Sequence, residues 1–246
     1  GVNAGTYMIL AEDLNASYEA THPANITLRT HPFDPGFVDV IERMDGVDKA
    51  EGRRTVTLRV QSEPGNWEPL TLIAIPDFAD ASIHRRILKE GHSVPMDKEL
   101  VLEHLTRDAL GVEIGGTLEI ELEDGTRRIL PVAGTVLDQA NVQDLILGGN
   151  RGFVTYDTLA WLHAPESLDE LLVTVSTAPN DKDAIRQVAT TVTDRVEKSG
   201  RAVFQTRIAP QNQHPFNNII EALLLVLMII GLLILFLSGS LIFNTM

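Results

Sequence analysis

From Ala222 to Phe243 the chain reads ALLLVLMIIGLLILFLSGSLIF, about 22 residues without a charge. At 1.5 Å per residue a helix over this run measures roughly 33 Å, slightly more than a hydrocarbon core of about 30 Å. A buried core helix would have to hide Leu, Ile, Phe and Met on every side, which a protein of 246 residues rarely manages. The run therefore predicts a transmembrane helix over residues 219–246, with 211–218 as its connector. Gly231 and Ser238-Gly239-Ser240 are small enough to let neighbouring helices approach closely. No Lys or Arg flanks the span, so charge does not orient it. The chain starts at Gly1 and stops at Met246 as the span ends, which leads us to expect a segment of a larger membrane protein.

The rest of the chain is polar and acidic. Twenty Lys and Arg stand against 34 Asp and Glu, giving −14, and only Glu221 of those acids lies beyond Ile219. A surface of this sign repels phosphate backbones and argues against nucleic acid as a partner. With no cysteine there is no disulfide, thiolate metal site or cysteine nucleophile, so stability must come from packing.

Periodicity divides the polar part. Tyr7, Leu10, Leu14 and Tyr18 follow helical spacing and predict an N-terminal stalk helix within residues 1–21, ending before Thr21-His22-Pro23. Asn25–Thr30 alternates as a strand. Asp34 then suits an N-cap ahead of Pro35, Phe37, Val40, Ile41 and Met44 share a helix face, and Thr55–Val60 alternates again. The same order returns late: a strand at Leu172–Ser176, a helix capped by Asn180 with Ile185, Val188, Val192 and Val196 on one face, and a strand at Arg201–Thr206. Two such βαβ units predict a four-stranded, ferredoxin-like sheet with both helices on one face, built from residues 22–75 and 166–210. Between them, residues 76–165 predict an inserted β-rich subdomain. A short helix from Glu103 ends at Gly111, and a hairpin turns at Asp124-Gly125, with Glu119 and Glu121 facing Arg127 and Arg128. The fold class is thus α+β.

Catalytic chemistry leaves no signature. Phosphate-loop, dinucleotide, zinc-protease and hydrolase-elbow motifs are missing. His22, His31, His84, His92, His104, His163 and His214 are scattered without ligand spacing and suit surface or cap positions. Asp34, Asp77 and Asp80 sit at turns, where carboxylates cap backbone amides. Gly148-Gly149-Asn150-Arg151-Gly152 reads as a flexible loop rather than a phosphate cradle. We assign no catalytic, cofactor-binding or metal-ligating residues, no cofactor and no enzymatic activity.

The segments LVLEHLTRDALGVEIGGTLEIELEDGTRRILPVAGTV (Leu100–Val136), GFVTYDTLAWL (Gly152–Leu162), LLVTV (Leu171–Val175) and LLILFLSGSLIFNTM (Leu232–Met246) occur in an order that resembles the MacB-like periplasmic core domain, followed by the first span of an FtsX-like ABC transporter permease. The resemblance implies an extracytoplasmic domain on the cell (inner) membrane, with a porter-like α/β subdomain split by a β-rich insert. It also implies a permease dimer on cytoplasmic ABC ATPase subunits, contact with membrane lipid, and transmission of ATP-driven motion to export or extract a lipid, lipoprotein, peptide or drug. A membrane-anchored sensor that binds an extracellular ligand or regulates a cell-wall hydrolase is the alternative; a single-pass anchored enzyme is the least supported.

Overall fold

The computed structural model describes residues 13–141, 149–214 and 216–244, with side chains of the last helix described over 222–237. The first described element is a helix, α1, over residues 13–19. There follow β1 (Ile26–Phe33), α2 (Pro35–Glu42), β2 (Val47–Glu63), β3 (Asn66–Ile75), β4 (Ile87–Gly91), β5 (Leu100–Glu103), α3 (His104–Leu110), β6 (Thr117–Glu121), β7 (Arg127–Leu137), β8 (Asn150–Thr155) and α4 (Tyr156–Trp161). The chain ends with β9 (Leu168–Val175), α5 (Lys182–Lys198), β10 (Val203–Ile208) and α6 (Phe216–Asn244).

Four strands lie in the order β10-β1-β9-β2, every neighbour antiparallel. This is the strand order of a ferredoxin-like sheet, since β9 enters between the two strands that α2 connects. Ile26, Leu28, Ala50, Leu171 and Val173 point to one face, where Phe37 and Ile41 of α2 and Ile185, Ala189, Val192 and Val196 of α5 join them in one core. Both helices therefore cover the same face, as the 3.6-residue spacing of their apolar positions requires. The N-cap of α5 is Asp181, whose carboxylate accepts from the amides of Asp183 (2.8 Å) and Ala184 (3.3 Å). Asn180, expected in that place, is one residue too early.

β2 continues past this sheet. Residues 47–53 pair with β9, whereas 54–63 pair with β3, and β3 runs parallel to β8. β8 then pairs with β5, β5 with β7, β7 with β6, and β6 returns to β2 through Arg59↔Glu121 and Val60↔Ile120. The outer half of β2 and these five strands form a closed ring of six, which removes the exposed edges that an open sheet would present. Val56, Leu58 and Val60, expected to face the helices of the βαβ unit, point into this ring. The expected unit ends where β2 crosses over, because its completing strand is 47–53. Leu70, Leu72, Leu100, Leu102, Leu118, Ile120, Leu130 and Val132 fill the interior. Packing there is tight: a Cβ at Gly152 would lie 2.7 Å from Leu100 Cδ1, so the ring holds a core and not a channel.

The hairpin β6–β7 turns at Gly125, with φ at +80°, and Arg127 meets Glu119 at 3.5 Å and Glu121 at 3.7 Å. Exposed pairs of this kind contribute about 0–1 kcal/mol and fix register more than stability. The predicted α3 runs from His104, with Glu103 as its cap and Gly111 in the left-handed region at its end.

Ring closure rests on the short β2–β6 seam, where Ile120 is fully buried. Ile120→Ala should lower the unfolding free energy by about 2–5 kcal/mol, seen as a lower urea midpoint of the whole chain in micelles. An unchanged midpoint would mean that the seam does not support the ring.

Candidate functional site: the junction below the apolar helix

The second face of the four-stranded sheet carries no helix pair. Thr27, Leu172 and Glu51 lie side by side on it through the β1, β9 and β2 registers. Residues 82–86 of the chain between β3 and β4 cross over it. Glu51 Oε1 accepts from the amides of Ser82 (2.5 Å) and Ile83 (2.8 Å), and Ile83 packs with Leu172 and Ala24. Arg53, only 2% exposed, donates from Nη2 to the Ile83 carbonyl at 2.8 Å.

The end of α1 joins the same place. His84 N donates to the His22 carbonyl (3.0 Å) and Arg85 N to the Thr21 carbonyl (2.8 Å). Tyr18 is buried, its ring edge-on to His214 at 5.1 Å, and His214 N donates to Asn15 Oδ1 at 2.9 Å. Burial pushes the Tyr18 hydroxyl up to about 12 and lowers the His214 imidazole. Residues 7–12 of the expected stalk helix lie outside the described residues.

The connector that precedes α6 is bonded at residues 211, 212 and 214. Asn25 Nδ2 donates to the carbonyls of Pro179 (2.7 Å) and Ala209 (3.1 Å), while its Oδ1 accepts from Val175 N (3.0 Å). Gln211 Nε2 donates to the Pro23 carbonyl at 3.1 Å, and Asn212 N to Asn180 Oδ1 at 3.0 Å. Asn180 thus serves the connector instead of the helix. A segment rich in Gln and Asn, easily read as a loose linker, is pinned to α1 and to the turn before α5.

Beyond it, α6 is helical from Phe216 to Asn244, and its large apolar side chains from Leu223 to Leu237 are between 49% and 75% exposed. Among the described residues no helix is long and apolar enough to cross a membrane.

Several expectations change. His84 and His214, expected at surface or cap positions, are 4% and 3% exposed. Both ring nitrogens of His84 lack a hydrogen-bond partner. Asn150-Arg151-Gly152, read as a flexible loop, belongs to β8, with Arg151 buried 3.7 Å from Asp138; Gly148 lies outside the described residues. Asp34 stands at the N-cap of α2 but makes no side-chain cap bond, and lies 3.6 Å from Arg201. Asp77 Oδ1 accepts from Ala79 N at 2.7 Å, the turn role expected of it. Asp77 and Asp80 also line a cleft of about 290 Å³ with Asp39, Glu42 and Glu51. Arg53, Glu103 and Asp138 were not singled out from sequence. Glu103 is fully buried as the cap of α3, accepting from Leu105 N at 2.7 Å, and burial raises its carboxyl.

No protein family and no curated protein matches this sequence. Among solved structures, the chain is similar to the extracellular domain of the noncanonic ABC-type transporter YknZ from Gram-positive bacteria, at 11% identity and a TM-score of 0.48, over 73% of this chain and 100% of that one. It is similar to the periplasmic region of MacB from Actinobacillus actinomycetemcomitans, at 12% identity and a TM-score of 0.46, over 74% of this chain and 88% of that one. It is also similar to a permease-protein domain from Porphyromonas gingivalis, at 16% identity and a TM-score of 0.45, over 77% and 91%.

Burial first, and then the Arg53 guanidinium, push the His84 imidazole down from 6.5 to about 3. The unfolded chain takes up that proton near 6.5, and the fold resists it until about 3. Stability should therefore be full above about 6.5 and fall as pH drops toward 3, by up to about 1.4 kcal/mol per pH unit from this group. The raised carboxyls of Glu103 and Asp169 act in the opposite sense. Comparing urea midpoints of wild type and His84→Asn across this range isolates the imidazole. The variant should show the shallower loss, and parallel curves would contradict the assignment.

Proposed function

We propose that this chain is the extracytoplasmic part, with the following transmembrane helix, of a MacB/FtsX-like ABC transporter permease. In this reading it transmits ATP-driven motion to export or extract a lipid, lipoprotein, peptide or drug. The observation that carries it is the junction: a helix with unpartnered apolar side chains on all sides leaves the folded unit through a connector bonded to α1 and to the turns before β1 and α5. An apolar surface of that extent is not tolerated in water, and lipid satisfies it without a specific partner. The crossing length comes from the sequence, whose charge-free run from Ala222 to Phe243 extends past the described side chains and as a helix measures roughly 33 Å.

The proposed division follows the pairing. Residues 1–21 are a stalk entering from a preceding span, β10-β1-β9-β2 with α2 and α5 is the porter-like part, the six-stranded ring is the insert, 211–218 is the connector, and 219–246 crosses the cell membrane. Residues 1–218 then lie outside the cytoplasm. The permease works as a dimer, with ATP hydrolysed by a separate cytoplasmic subunit; the chain itself is not an enzyme. The resemblance of Leu100–Val136, Gly152–Leu162 and Leu232–Met246 to this family supports the reading, and so does an acidic chain without a catalytic motif.

Displacement of α6 reaches the sheet only if the connector is stiff. In the intact transporter, inserting a Gly/Ser segment after Gln213 should abolish transport while ATP hydrolysis continues. Transport at the wild-type rate would reduce the connector to a tether.

A further inference from the structure

The junction encloses a cavity of about 160 Å³ between the second face of the sheet, α1 and the connector. Its wall has the opposite sign to the protein. The chain carries −14, yet the charged side chains lining this cavity are Lys182 and Arg207, with no acid among them. Among the described residues neither has an ion-pair partner.

His84 forms the inner wall. Its ring is 4% exposed, and neither nitrogen has a hydrogen-bond partner, so a buried N–H borders the cavity without an acceptor. Native folds rarely leave such a donor unsatisfied. The backbone there is also held in the left-handed region, at φ +52°, by the bonds from His84 N and Arg85 N to the end of α1. A non-glycine residue in that region persists only where its surroundings impose it.

Behind His84 the field is positive. Arg53, Arg207 and Arg86 disfavour charge on the imidazole against Asp138, which favours it, and Arg86 has Nε and Nη1 without partners, its guanidinium 5.1 Å from the rings of Phe78 and Phe153. The nearby acids are engaged elsewhere. Asp138 accepts from Ala140 N at 3.0 Å and lies 3.7 Å from Arg151, and Glu51 accepts from Ser82 and Ile83. An acceptor-rich anion is the one class of ligand that satisfies the imidazole N–H and both cations together.

We propose that this cavity binds a compact oxyanion of the phosphate class, with the His84 ring donating from the inner wall and Lys182 and Arg207 holding the charge. The walls come from α1, the connector, the start of α5 and the segment leading to β4. Occupancy therefore cross-links the parts that the junction joins. The shared chemistry is a phosphate group, supplied either as a free ion or as an anionic lipid headgroup.

The test uses the whole chain in alkyl maltoside micelles, which contain no phosphate. Inorganic phosphate is titrated against chloride at matched ionic strength while the His84 imidazole is followed by nitrogen-15 NMR. A saturable shift specific to phosphate, with a rise in Tm, is expected. Lys182→Gln and Arg207→Gln each remove one charge-assisted bond from exposed positions and should weaken the apparent affinity about tenfold or more. Matching circular dichroism spectra without phosphate would show that these variants fold. Micelles doped with phosphatidylglycerol, free of inorganic phosphate, separate the sources: a His84 shift there identifies a headgroup, and a shift with the free ion alone identifies a soluble anion. No shift in either, or an undiminished response in the double variant, overturns the proposal.

Discussion

The structure depends on one strand serving two sheets. β2 spends its first seven residues beside β9 and its last ten beside β3, and the change of partner falls between Arg53 and Arg54. A strand buried on one face tolerates solvent on the other, but at the crossover both faces are covered. Gly52 has no room for a side chain: a Cβ would lie 2.5 Å from Leu168 Cδ1 and 3.0 Å from Val38 Cγ2. Arg53, pointing the opposite way, is buried under residues 82–86. Burying a guanidinium costs several kcal/mol, and here the Ile83 carbonyl accepts one bond from Nη2 and the Glu51 carboxylate, at 3.9 Å, offsets the charge, while Nε has no partner. The crossover strand thereby fixes the ring and the four-stranded sheet in one orientation. Asp169 of β9 reinforces it, accepting from Thr55 N at 2.9 Å and lying 3.3 Å from Arg54.

Local pattern made part of this legible. The faces of α2 and α5, the hairpin at Gly125 and the apolar run depend on spacing within a few residues, and the structure reproduces each of these as an element. The alternation of Val56, Leu58 and Val60 correctly marked an inward face, but alternation does not say inward to what. Ring closure depends on β6 meeting β2 across some sixty intervening residues, a pairing without local signal. Arg53 was unreadable for the same reason, since its burial is produced by a segment about thirty residues later. Asn25 read as the start of a strand and Asn180 as a helix cap. Their side chains instead bond residues 150 or more positions away, or the connector, and composition suggested only a polar linker there.

The same contrast bears on His84. Isolated histidines lacking ligand spacing are usually exposed, and nothing local to His84 signals otherwise. What buries it is the back face of the sheet, which has two short coverings in place of a second helix pair: the end of α1 and residues 82–86. Such coverings enclose less completely than a helix packed along its length. A residual cavity at this place follows from the architecture, and its cationic lining follows from which residues of β10 and α5 border it.

Coupling between α6 and the outer ring can be argued from the order of stiff contacts. α6 follows a connector held to α1 through His214 and Asn15, and to the turns that lead into β1 and α5 through Gln211 and Asn212. The sheet passes into the ring through β2 without a break in the backbone. Residues 82–86 close a second route, because they are bonded to the end of α1 on one side and to β2 through Glu51 and Arg53 on the other. A displacement entering at either α1 or α6 thus meets the same strand by two paths. Two paths that converge on one rigid strand transmit a rotation as well as a push, whereas a single hinge would transmit only the push. That distinction makes the junction, more than either β unit, the part whose stiffness the proposed transport role would require.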